Sequence, residues 1–190
     1  SYNYENFKNF SVYCKKKKIK LFVNYQRSFS NSLKFFRNFV NSGKKIKIYI
    51  NYKKGFYNSC SHYINFFFNI FQSTKYKIIK IEKYKKQKND FVVNCEIKIN
   101  HSINFDFKKT KDEKIVFKNS NGNQVQYFTE KSKIVSIKNK KKTIVKNDFY
   151  KNIKNLLDKI AKQYKTRSDF NLISSLKTLE LIHNIQKKNE

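Results

Sequence analysis

Residues 45–71 read KIKIYINYKKGFYNSCSHYINFFFNIF, and this stretch joins two patterns that predict different secondary structures. Apolar and polar residues alternate over 45–52, as they do in a strand with one buried face. Gly55 then precedes an apolar run that predicts a helix over 62–71, with Ser59 or Ser61 as its cap. His62, one of three histidines in the chain, lies at the predicted start of that helix.

Downstream of this stretch, alternation dominates from residue 75 to residue 146. Polar turns such as KKQKND, KKTKDE and NSNGN separate seven alternating segments: YKIIKIEKY, DFVVNCEIKI, INFDFK, KIVFK, VQYFT, KIVSIK and TIVK. Short alternating segments joined by short loops predict antiparallel strands in a meander. Two amphipathic helices are predicted to follow, over 148–162 and 169–187.

Upstream, the spacing of apolar residues predicts a helix over 3–17, a buried strand over 19–25 and a helix over 30–42, which Gly43 follows. Helices and strands are therefore segregated along the chain. This order predicts an α+β fold, a largely antiparallel open sheet covered on one face by helices.

The chain of 190 residues has a net charge of +30, but only three of its 43 basic residues are arginines. A charge of this size favours binding to nucleic acid. Bidentate recognition of phosphate or guanine, however, uses arginine rather than lysine. The abundance of Lys, Asn, Ile, Phe and Tyr also matches AT-rich codons. We therefore interpret most of the charge as drift on solvated surfaces and keep nucleic-acid binding as a second interpretation.

Several site classes have no matching pattern in these residues. Three widely spaced cysteines predict reduced thiols in a cytoplasmic protein, and no His/Cys set has the spacing of a zinc site. The apolar run at 63–71 is interrupted by asparagines and is too short to span a membrane. With three glycines, the sequence contains neither GxGxxG nor GxxxxGK[ST].

Two groups of polar residues are candidates for chemistry. The positive end of a helix would disfavour the protonated form of His62, so its imidazole could act as a general acid or base, although a capping or core role is the alternative. Asn24, Tyr25 and Arg27 follow the predicted strand at 19–25, the edge where α/β proteins bind ligands. For Arg27, an ordinary surface cation is the alternative.

Several short motifs, in matching order and spacing, resemble the glucose-fructose oxidoreductase, inositol dehydrogenase and MocA family of NAD(P)-dependent sugar dehydrogenases. In that family a vNyxRRf-like strand end precedes a helix ending in sG, and a GSH-x-I-D segment opens the next helix. The matching segments here are VNYQR at 23–27, SG at 42–43 and SHYIN at 61–65. The YKKG at 52–55 resembles members found with bacterial surface-polysaccharide genes, and SDFNL at 168–172 resembles the start of the family's closing helix.

This resemblance implies roles for individual residues. His62 would be catalytic and help to handle the hydroxyl proton as hydride leaves the sugar. The family often has a catalytic Asp where this chain has Asn58, and a glycine where it has Cys60. The residues that would shape the substrate pocket are Asn24, Tyr25, Arg27, Lys54 and Asn58.

The resemblance also implies a domain organisation. Residues 1–27 would be the last helix and strand of a Rossmann-type nucleotide-binding domain, and residues 28–190 the C-terminal domain that binds a sugar or sugar nucleotide. We expect such a fragment to be inactive alone, because the glycine fingerprint and the family's EKP segment are absent, and to use NAD or NADP only within the full-length enzyme. A homo-oligomer through the sheet face is also implied. The other interpretations are a basic RNA-binding protein, such as an organellar ribosomal component, and a non-catalytic dimerisation scaffold.

Overall fold

The computed structural model describes residues 4–19, 21, 23, 25, 32–41, 46–88, 90–99, 103–129, 133–146, 154, 157–158, 161 and 170–189. Within these residues the long helices are α1 (Tyr4–Lys16), α2 (Ser32–Asn41), α3 (Phe56–Phe71) and α4 (Phe170–Lys187). The strands are β1 (Ile46–Tyr52), β2 (Tyr76–Lys86), β3 (Phe91–Ile99), β4 (Ile103–Lys109), β5 (Lys114–Asn119), β6 (Gln124–Phe128), β7 (Lys133–Lys138) and β8 (Lys141–Lys146).

All eight strands form one sheet in the order β2-β3-β4-β1-β5-β6-β7-β8. The seven alternating segments predicted downstream of residue 75 are confirmed as β2 to β8. The predicted meander is interrupted, because β1 lies between β4 and β5 and pairs with β4 in parallel. The central position of β1 fits its burial, since the side chains of Ile48, Ile50 and Tyr52 have no exposed surface.

The helices cover one face of this sheet. Phe36 of α2 stacks on Phe117 of β5 with ring centroids 4.7 Å apart, and Phe67 of α3 lies 4.7 Å from Phe105 of β4. All four rings are fully buried, and each contributes roughly 1.5–3 kcal/mol through burial. The predicted α+β architecture is therefore confirmed. We call the opposite face of the sheet the outer face.

Hydrogen bonds link the helices to one another and to the sheet edge. In the interface of α3 and α4, the buried Asn65 Nδ2 donates to Ser174 Oγ at 3.2 Å. Glu180 of α4 accepts hydrogen bonds from the Tyr4 hydroxyl of α1 at 3.3 Å and from the Tyr76 hydroxyl of β2 at 3.0 Å. Glu180 thus joins three elements that are distant in sequence.

Three sequence predictions need correction or lie partly outside the described residues. The helix predicted over 62–71 begins six residues earlier, at Phe56. At 19–25 the four described residues lie in no strand. In the helix predicted over 148–162, the four described residues are helical, and the rest of that prediction falls outside the described residues.

Candidate functional site

The junction between β1 and α3 is organised by a glycine and a distant carboxylate. Gly55 is the residue before α3 and has an extended backbone, with φ −62° and ψ 160°. A Cβ atom on this residue would overlap Oδ2 and Cγ of Asp90. The glycine is therefore required for space and not for an unusual backbone angle.

Asp90 occupies this space because it caps the helix. Its Oδ1 accepts the N–H of Tyr57 at 2.8 Å, and its Oδ2 accepts the N–H of Asn58 at 3.0 Å. A carboxylate at this end also complements the helix dipole. The sequence predicted Ser59 or Ser61 as the cap of α3. Neither residue caps the helix, because both lie inside it and are buried.

His62 is the seventh residue of α3 and is half-buried. The helix dipole acts mainly within the first turn, so the predicted effect of the helix end on the protonation of His62 is wrong. The edge of the Tyr25 ring meets the imidazole, with centroids 5.3 Å apart and planes at 86°. The structure thus brings together two of the predicted site residues.

Tyr25 is held in place by burial and by α3. Its side chain is 6% exposed. Burial and the neighbouring Tyr57 raise the pKa of the Tyr25 hydroxyl above its usual value, and a hydrogen bond with Ser61 opposes the rise. The hydroxyl therefore stays protonated at neutral pH, so Tyr25 contributes a neutral hydroxyl beside His62.

The other predicted site residues have different outcomes. Asn58 lies on the first turn of α3, and because it is four residues before His62, both side chains share one face of the helix. Lys54 is exposed in the turn between β1 and α3. Asn24 and Arg27 lie outside the described residues, so their roles in the pocket stay predictions.

The loop between β4 and β5 lies beside the turn between β1 and α3. Thr110 donates its N–H to the Tyr52 carbonyl at 2.9 Å, and Lys109 Nζ donates to the Lys54 carbonyl at 3.0 Å. The loops that follow β1 and β4 are therefore bonded to each other. We call this region, where β1 and β4 end and β5 begins, the β1–β4–β5 edge.

Two acidic residues near the junction could not be identified as neighbours of α3 from the sequence. Asp90 is 33 residues from Tyr57, and Glu113, which accepts a hydrogen bond from the Tyr63 hydroxyl, is 50 residues from Tyr63. No local motif predicts such contacts. The one signal was Gly55 itself, which marks a place where another group approaches the backbone.

The start of α3 does not fit the pyrophosphate of a dinucleotide. The pyrophosphate would need free N–H groups at a glycine-rich helix start, yet the N–H groups of Tyr57 and Asn58 at the start of α3 donate to Asp90. Nor does the described part of the chain group three or more His, Cys, Asp or Glu side chains as a metal site would. No helix among the described residues is long and apolar enough to cross a membrane.

Comparison with solved structures finds proteins similar to this chain, whereas comparison by sequence finds none. No family model and no curated protein matches the chain. A dehydrogenase (MviM) from Clostridium difficile is 15% identical, with a TM-score of 0.68 over 92% of this chain and 64% of its own. The chain shares its fold with oxidoreductases.

Two further solved structures are also similar to the fold of this chain. KijD10, a 3-ketoreductase from Actinomadura kijaniata solved with TDP-benzene and NADP, is 10% identical, with a TM-score of 0.67 over 93% of this chain and 63% of its own. Biliverdin reductase from Synechocystis, solved with biliverdin and NADP+, is 11% identical, with a TM-score of 0.65 over 96% of this chain and 68% of its own. The chain spans less than two thirds of MviM and KijD10, and the likeness is one of fold.

Proposed function

We propose that this chain supplies the substrate-binding part of an NAD(P)-dependent oxidoreductase that acts on a sugar or sugar nucleotide. The contact between Tyr25 and His62 at the β1–β4–β5 edge carries the proposal, because it unites two motifs that resemble sugar dehydrogenases, VNYQR and SHYIN. The fold shared with MviM and with KijD10, a ketoreductase solved with TDP-benzene and NADP, supports it.

Within this proposal each predicted site residue has a separate role. His62 exchanges the proton of the reacting hydroxyl, a role that suits an imidazole near neutral pH. Asn58, on the same helix face, offers an amide that can donate and accept hydrogen bonds. Lys54 and Arg27 supply positive charge for a nucleotide phosphate, and Asn24 and Tyr25 shape the pocket.

The dinucleotide would be held by a nucleotide-binding domain, of which residues 1–27 would be the end, and not by the residues described here. We therefore expect no turnover and no stoichiometric NADP binding by these 190 residues alone. Turnover by the isolated chain would contradict the proposal that another domain holds the dinucleotide.

Replacing His62 tests the function. We expect His62→Gln to weaken binding of dTDP-glucose or myo-inositol about tenfold, the loss of one good hydrogen bond, as measured by NMR titration. His183→Gln is the matched control, because His183 stacks on Tyr4 far along the chain from the junction, with centroids 5.7 Å apart. Equal affinities for the two variants would remove His62 from the site.

A second copy of the chain on the outer face is a further part of this proposal. Val116, Val135 and Ile144 lie in one cross-strand row of β5 to β8. Ile144 is 52% exposed, whereas Val116 and Val135 are buried and Gln126 lies between them in the row. An exposed apolar side chain on an open sheet face suits an interface. Sedimentation as a dimer would support this arrangement, and a monomer at high concentration would contradict it.

One observation favours nucleic-acid binding as a second candidate function. Four lysine pairs stand directly opposite each other across neighbouring strands: Lys47 and Lys118, Lys77 and Lys98, Lys133 and Lys146, Lys138 and Lys141. Such like-charge pairs are destabilising, and a bound polyanion would offset the repulsion. Tight RNA binding that weakens steeply with salt would favour this candidate, whereas micromolar or weaker binding at physiological salt would exclude it.

A further inference from the structure

A buried tyrosine next to His62 holds a carboxylate at the β1–β4–β5 edge. Tyr63 has no exposed surface, and its hydroxyl donates to Glu113 Oε1. The same hydroxyl lies 3.3 Å from Thr129 Oγ1 at the end of β6. Because the ring that carries it is fixed in the core, this hydroxyl sets the position of the Glu113 carboxylate.

Among the described residues, the Glu113 carboxylate accepts a hydrogen bond at one of its two oxygens. A carboxylate can accept hydrogen bonds at both oxygens, yet among the described residues Tyr63 is the donor to Glu113, and it donates to Oε1. Glu113 itself is neither buried nor fully exposed. Its Oε2 is therefore an oriented acceptor for a group that comes from solution.

The position of Glu113 relates it to the predicted pocket. It is the last residue before β5, in the loop that begins at Thr110. The Thr110 N–H is bonded to the Tyr52 carbonyl, and the ammonium of Lys109, the last residue of β4, is bonded to the Lys54 carbonyl. That loop therefore lies against the turn that leads into α3. The residue that orients Glu113, Tyr63, directly follows His62 in the chain.

We propose that Glu113 is a specificity-determining residue of this site, with Oε1 held by Tyr63 and Oε2 accepting a hydroxyl hydrogen from the sugar. The inference rests on the proposed function. Hydrogen bonds to a carboxylate are roughly twice as strong as neutral ones, and a site built to bind a hydroxyl rejects analogues that lack it. Glu113 thus selects for a polyhydroxylated ligand, and Tyr63 is its positioning residue.

The test measures the affinity of the wild-type chain and of three variants for glucose, myo-inositol, dTDP-glucose and dTDP. Glu113→Gln should weaken binding of the ligand that wild type prefers by about tenfold or more, and Tyr63→Phe by severalfold. Affinity for dTDP, which lacks the hexose, should not change. Glu96→Gln is the matched control, because Glu96 lies on β3 opposite Lys80 and Asp106. This variant should bind all four ligands with the affinity of wild type.

The outcomes separate this inference from the function on which it rests. If wild type binds a hydroxyl-rich probe and Glu113→Gln binds it equally well, Glu113 is not a ligand residue and the proposed function stands. If wild type binds none of the three hydroxyl-rich probes, both fail. Should Glu113→Gln unfold, Tyr63→Phe still decides, since it keeps the buried ring and removes only the hydroxyl.

Discussion

At the scale of single residues, Gly55 and Asp90 form a pair in which each explains the other. The carboxylate caps α3 by accepting the N–H groups of Tyr57 and Asn58, and the missing side chain of Gly55 leaves room for it. The first turn of α3 carries Asn58 and the second carries His62. This cap therefore sets the position of the proposed site.

Gly55→Ala should lower the free energy of unfolding by about 2 kcal/mol or more, because the added methyl group displaces the cap. In an Asp90→Gly background, where no Asp90 Cβ remains near the added methyl group, the same change should alter stability by about 1 kcal/mol or less. Urea unfolding of the double-mutant cycle measures both. Gly122→Ala is a control, since Gly122 has φ +75° but open space around it, and we expect it to lose about 1 kcal/mol. An equal effect of Gly55→Ala in both backgrounds would refute the steric explanation.

Residue-level features were predictable where the signal was local. The SHYIN motif pointed to His62 and VNYQR to Tyr25 as site residues, and the structure places the two rings in contact. Their roles stay predictions. The contribution of Asp90 was not predictable, because Gly55 marks a close approach to the backbone but does not say that a carboxylate 33 residues from Tyr57 makes it. For the same reason the start of α3 was placed six residues too late.

At the scale of elements, Glu180 joins α1 to α4 and β2. Partial burial raises the pKa of Glu180, but hydrogen bonds from Lys177 and Tyr76, the charge of Lys177 and a hydrogen bond from Tyr4 outweigh this effect and hold the pKa below its usual value. His183 also stacks on Tyr4. A carboxylate whose pKa is lowered by folding stabilises the folded state while it is ionised.

The stabilising effect of Glu180 should therefore be complete above pH 4.5, the usual pKa, and should be lost as pH falls through the lower folded pKa. The difference in unfolding free energy between wild type and Glu180→Gln should shrink from pH 6 to pH 3, as followed by urea unfolding. Glu5→Gln, at an exposed pair with Lys8 on α1, should show little change. A difference that stays constant with pH would mean that folding does not lower the pKa of Glu180.

Elements were well predicted where hydrophobic periodicity alone decides them. Strands β2 to β8 alternate cleanly, so their existence followed from the sequence. The insertion of β1 between β4 and β5 did not, because pairing between strands distant in sequence depends on how α3 packs across the sheet. The likeness to known oxidoreductases then agreed with the predicted fold.

At the scale of the whole molecule, two faces of the sheet carry different chemistry. The helix-covered side presents His62, Tyr25 and Glu113 at or near one edge, whereas the outer face carries opposed lysines and an apolar row. A ligand that binds at the edge and one that binds on the outer face are therefore separable by location.

Mapping where a sugar binds tests the central claim most directly. Backbone amide shifts of the labelled chain would be followed during titration with dTDP-glucose and myo-inositol. We expect the perturbed amides to cluster at the β1–β4–β5 edge, around Lys54, Asn58, His62 and Glu113. The amides of residues whose side chains lie on the outer face should not shift. An absence of shifts with both ligands, or shifts confined to the outer face, would contradict the account of a sugar-binding oxidoreductase domain.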